Sequence, residues 1–199
     1  MADPLPEFDP EDRKRKAEAA TAAAANKAAP MASAPMKFND DGSVAWGEMW
    51  DSFCVLAKEG GPAHRATLLK AEENSDVNSP SYQTAQQEII RGVYLVSGLR
   101  AYPDKPGWIA INCTSEGMAA WLAEAGAQEN VQVHNEGNRL LVPCGEKFGL
   151  KGEIKNVVTV VAKTTHYWAD HIPDEVKTTM KIEEGLSALG RRIKKLLGR

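Results

Sequence analysis

No run in this sequence approaches the roughly 18–20 consecutive apolar residues that cross a bilayer. The opening MADPLPEFDPEDRKRK also lacks the apolar centre of a signal peptide. Both absences predict a soluble protein of the cytoplasm that touches a membrane at most by its surface. Cysteine is scarce. Cys54, Cys113 and Cys144 are odd in number and widely spaced, which fits neither a disulfide framework nor a zinc pattern and agrees with a reducing compartment. Positive charge is not in excess either. At a formal net charge of -3, the chain as a whole lacks the basic surface that binding along a phosphate backbone needs. GxSxG, HExxH, CxxC and paired-carboxylate patterns are missing, and Gly145, Gly149 and Gly152 match neither a Walker loop nor a dinucleotide fingerprint. No internal repeat suggests a solenoid. The sequence therefore names no cofactor and no reaction.

What is present is enough apolar material for one core: 43% of the 199 residues are hydrophobic and 26% are charged, which suits one soluble domain with tails. The composition shifts near residue 37. Before it, Asp9 caps a helix that Pro10 opens, alanines favour it and Pro30 ends it. This helix has no apolar stripe to bury, so residues 1–37 are expected to form a mobile Ala-rich arm able to dock on a partner.

Residues 38–173 read as a single α+β domain. Trp46, Met49, Trp50, Phe53, Cys54 and Ala57 fall at helical spacing, and Gly60, Gly61 and Pro62 stop the run. ATLLKA suggests a short strand. Ser79 and Pro80 open a second helix that buries Tyr82, Ala85, Ile89, Val93 and Val96, with Gly98 at its C-terminal end. AYPDKPG reads as turns and WIAINC as a strand. A helix capped by Thr114 or Ser115 follows, then NVQVHNEGNRLLVP as strand, turn and strand. Strand, helix, strand implies a right-handed parallel crossover, so a small mixed sheet built on a β-α-β-β unit, Trp108 to Pro143, is expected beneath the helices. EIKNVVTVVAKTTHYW is rich in β-branched residues, yet Lys155, Asn156, Thr159 and Lys163 recur at three and four residues opposite Ile154, Val157, Val158, Val161 and Trp168. Sixteen residues is also long for a strand. The spacing predicts a helix with one buried face.

Residues 174–199 form a further amphipathic segment. Ile182, Leu186, Leu189, Ile193 and Leu196 alternate at four and three residues, as in a coiled-coil seam. Arg191, Arg192, Lys194, Lys195 and Arg199 crowd its end. That polarity suits the helix dipole, and it also suits an acidic partner, an anionic membrane surface or nucleic acid.

Three places could carry chemistry. His166 and His171 are candidate metal ligands. Five residues apart, they would sit roughly 140° around one helix, whereas His166 with Asp170 and Tyr167 with His171 are same-face neighbours. A helix terminus with aromatic packing is the simpler reading. Cys113 stands at a strand end before a helix N-terminus, where Thr114, Ser115 and Glu116 could meet a small anionic ligand. His134 could join Cys113 in a dyad, but alternation along the two strands sets Cys113 toward the core and His134 away from it. His64 and Arg65, in GGPAHR, read as part of a helix stop. The favoured function is a non-catalytic interaction, assembly or accessory protein, oligomeric or partner-bound through its terminal segments. The alternatives are a small-molecule-binding protein or enzyme near Cys113, and a metal handler at His166 and His171.

Overall fold

The hydroxyl of Ser79 accepts a hydrogen bond from the Tyr82 amide at 3.2 Å, and Pro80 follows with φ preset for a helix. Helix α1, Pro80–Ser97, starts there and ends where Gly98 takes a left-handed φ of 71° and its amide reaches the Tyr94 carbonyl at 2.8 Å. Both ends stand where the sequence puts them, and the five expected apolar residues are buried. In this computed structural model, residues 34–50 and 67–180 are described. The other elements are β1 (Ala101–Pro103), β2 (Trp108–Asn112), α2 (Glu116–Gln128), β3 (His134–Glu136), β4 (Arg139–Pro143), a π-helical turn at Leu150–Ile154, and α3 (Lys155–Asp170). Residues 46–50 and 174–180 are also helical. Together they make a single α+β domain. No helix of the described residues is long and apolar enough to cross a membrane.

The sheet corrects one expectation. It is antiparallel throughout, in the order β1-β2-β4-β3, and not mixed. Strand β3 does run in the direction of β2, but β4 lies between them. Two short hairpins explain this, because local antiparallel pairing needs no crossover. Gly137, at φ 60°, turns β3 into β4. AYP, read as a turn, instead forms β1 and folds back on β2. Gly107 closes that hairpin at φ +83°, where a Cβ would stand 2.9 Å from the backbone of Glu72. No residue but glycine fits there. The expected strand through Val131 shrinks to one parallel bridge with Leu69.

Ile109, Ile111, Leu140 and Val142 face the helices and join the main core. Trp108, Ala110 and Leu141 form a smaller cluster on the opposite face, against Ala71 and Tyr102. The valine-rich run is a helix, as its polar spacing predicts, but its polar stripe is not outward. Lys155 is 6% exposed and Thr159 is wholly buried. Helix α3 lies between α1 and α2, so both of its sides are covered, and the stripe finds partners inside the protein. At the α1–α3 crossing Gly92 lets the helices touch: a Cβ there would be 2.7 Å from Val158 Cγ2.

Residues 1–33, 51–66 and 181–199 lie outside the described residues. They include most of the proposed N-terminal arm, Phe53, Cys54, Ala57, the GGPAHR run with His64 and Arg65, and the C-terminal Ile182, Leu186, Leu189, Arg191, Arg192, Ile193, Lys194, Lys195, Leu196 and Arg199.

Candidate functional site

Strand β2 and helix α2 place the first candidate cluster. Of the two possible caps, Ser115 is the one used: its hydroxyl accepts from the Met118 amide at 3.0 Å. Thr114 is exposed and its hydroxyl donates to the Met118 sulfur at 3.3 Å. Glu116 sets a carboxylate in the first turn, which matches the positive helix end and opposes a second anion there. Cys113 is 5% exposed and belongs to the main core. Burial pushes its thiol up to about 12, the reverse of what a nucleophilic cysteine needs. Its amide is spent on the Asn138 carbonyl at 2.9 Å.

His134 sits elsewhere. It pairs with Leu141, whose side chain is on the sheet face away from the helices. There its ring meets Trp108 edge-on, with centroids 4.4 Å apart at 76°. Cys113, two residues beyond Ile111, faces the helices. The sheet itself thus separates the two side chains. Around His134 lies a paired polar surface. Arg139 joins Asp104 at 2.8 Å and also Glu136, and the Tyr102 hydroxyl donates to Asn112 at 3.0 Å. The Lys105 amide, with Arg139 beside it, holds Asp104 below the usual carboxylate range. Lys105 lies 5.7 Å from the Trp108 ring.

The second cluster forms where α3 ends. His166 Nδ1 is 2.9 Å from Asp170 Oδ2, and Tyr167 stacks at 4.9 Å on His171, so both same-face pairs exist. The helix stops at Asp170 with His171 as its cap, which brings the two imidazoles to a centroid distance of 5.3 Å. Trp50 packs edge-on against His166 at 5.2 Å. Burial lowers the His166 pKa below its ordinary 6.5, Asp170 raises it and His171 lowers it further. Asp170 orients His166 as a carboxylate orients a histidine ligand or base. Among the described residues no group of three or more His, Cys, Asp or Glu side chains is placed to hold a metal ion.

Sequence reasoning missed two features of α3. Lys163 pairs with Glu129 at 2.6 Å, both side chains nearly out of water. Lys155 donates from its ammonium to the Ala34 carbonyl. Nothing in either residue's neighbourhood along the chain signals the partner. Cys144, like Cys113, is enclosed and pushed up to about 12 by burial.

Comparison with known proteins returns nothing: no family model, no curated protein and no solved structure matches the chain.

Proposed function

We propose that the protein is a non-catalytic interaction or assembly protein that joins a second copy of itself, or a protein partner, through its terminal segments, chiefly the C-terminal one. One observation carries this reading. After α3 stops, the chain turns at Ile172 and Pro173 and starts a new helix over residues 174–180. Met180 packs against the main core, and Lys177 ties the turn by donating to the Ala169 carbonyl at 2.9 Å, whereas Glu175 and Thr178, roughly 140–160° around the helix from Met180, are exposed. That helix has a domain side and a free side. At about 100° per residue, a continued helical period would set Ile182, Leu186, Leu189, Ile193 and Leu196 roughly 160–240° from Met180, opposite the side that docks. A seam of this period on the free side of a helix is complementary to another helix of its kind. The basic cluster Arg191, Arg192, Lys194, Lys195 and Arg199 then favours an acidic surface on what it meets. An anionic membrane and nucleic acid offer the same charge and are competing outcomes.

Light scattering and cross-linking of the full chain against a chain ending at Met180 test the proposal, since that truncation keeps the docked residue and removes the seam. The full chain is expected to form dimers or larger species that the truncated chain does not form. The same oligomeric state for both chains, with equal cross-linking, defeats it. Loss of anionic-vesicle or nucleic-acid binding without any change in self-association would move the function to those partners.

A further inference from the structure

Residues 34–50 run across the helices as a strap with unequal ends. Its C-terminal half is firmly held. Trp46 and Met49 are wholly buried, the Trp46 indole donates to Glu88 at 2.7 Å, and Arg91 donates to the Val44 carbonyl at 2.8 Å. Between the halves stands a small closed loop. Phe38 bridges Val44, the Asn39 amide reaches the Ser43 carbonyl at 2.8 Å, and Asp41 accepts from Ser43. This loop closes on itself, and Val44 seats it in the main core. The N-terminal end is different. Among the described residues, the one hydrogen bond made by residues 34–36 is the one that Ala34 accepts from Lys155.

That single hydrogen bond is an uneasy one. Lys155 is buried, and among the described residues no carboxylate forms a salt bridge with it. It stands where the π-helical turn runs into α3, a full turn inside the helical run. Burying a charge without a counter-charge is costly, and burial accordingly pulls the Lys155 pKa down. The cost disappears once the ammonium meets water. Along the strap's end Ala34 is buried and Met36 packs partly against the core, while Pro35 is exposed.

We infer that residues 34–36 are a releasable end of the strap: they lift from the start of α3 as a unit, uncovering Lys155, while residues 44–50 stay docked and the domain stays folded. The hydration that Lys155 regains offsets the small apolar area returned to water, and the closed loop at 38–44 acts as the fixed pivot. The device peels residues 34–36 from the domain and so exposes the ground on which they lie. It deepens the interaction reading, yet it is measured on the protein alone and stands or falls without a partner.

Trace acylation of lysines in the native full chain, mapped by mass spectrometry across low urea concentrations, tests it. Lys163 is the internal control, because it is also enclosed and is held by the Glu129 carboxylate. Hydrogen exchange at the amides of Ile109 and Ile111 reports global unfolding. Lys155 is expected to react on the order of tenfold faster than Lys163 or more, with little dependence on urea, as a local opening does. The Ala34 and Met36 amides are expected to exchange ahead of those of Trp46 and Met49. If Lys155 reacts only in step with the β2 amides and with the same urea slope, the strap has no releasable end. Unchanged self-association beside fast Lys155 labelling would sink the assembly reading and leave the strap intact.

Discussion

The ammonium of Lys163 and the carboxylate of Glu129 meet at 2.6 Å with their side chains only 12% and 11% exposed. The pair bolts the middle of α3 to the C-terminal cap of α2. Removing one partner takes an ion pair from a charge that is mostly out of water, and Lys163→Met is expected to cost about 3 kcal/mol. The double change Lys163→Met with Glu129→Met should cost clearly less than the sum of the two singles. Urea unfolding of all four chains gives the coupling. Additive losses would show that the ions contribute independently.

Gly92 lies inside α1, where alanine is ordinarily better by about 1 kcal/mol. Here a Cβ would press on Val158 at 2.7 Å and on the Trp46 ring at 3.1 Å, and neither neighbour has room to yield. Gly92→Ala is therefore expected to destabilise by roughly 1–3 kcal/mol, read from urea midpoints. A stabilised variant would mean that α1 and α3 cross less tightly than these distances require.

His166 makes the end of α3 sensitive to acid. Burial, its largest influence, sets the folded pKa below the ordinary 6.5, although Asp170 pulls upward. The folded state thus binds fewer protons than the unfolded chain. Its stability is fully present above about pH 6.5 and falls as the pH drops from there through the folded value. His166→Gln should flatten that part of the pH profile, and Asp170→Asn should lower the His166 titration further. Urea midpoints between pH 5 and 8, with an NMR titration of the imidazole, check both, pH 5–8 being the window in which histidine changes charge. A profile identical in the wild type and His166→Gln would refute it.

Cys113 and Cys144 are expected to be inert. Both thiols are buried and pushed up to about 12, so the thiolate is rare and alkylating reagents have no path to it. Iodoacetamide at about pH 8, close to where an ordinary thiol ionises, should modify neither until denaturant is added. Mass spectrometry of the Cys113 and Cys144 peptides decides this. Rapid labelling of Cys113 alone would revive the small-molecule site at the start of α2.

Helices α1 and α2 were legible because their signals are local. A serine cap opens each, and in α1 a following proline and a glycine end also bound the stripe; each signal acts within one turn of the chain. The same holds for α3, where the recurrence of polar residues outweighed valine's preference for strands. Strand β1 escaped notice because three residues are too few to show an alternation. Asp170 beside His166 was visible from the four-residue spacing, but Trp50 beside it was not.

The sequence by itself determined that the stretches of α1, α2 and α3 are helical, where α1 starts and stops, and which of its apolar residues are buried, since these depend on contacts between near neighbours. Only the tertiary structure decided the strand order and the fate of the polar stripe on α3. Whether β4 slots between β2 and β3, or Lys155 finds a carbonyl 121 residues away, depends on which distant surfaces reach each other first and best. A charge that looks solvent-bound along the chain becomes a buried contact when another segment is laid across it.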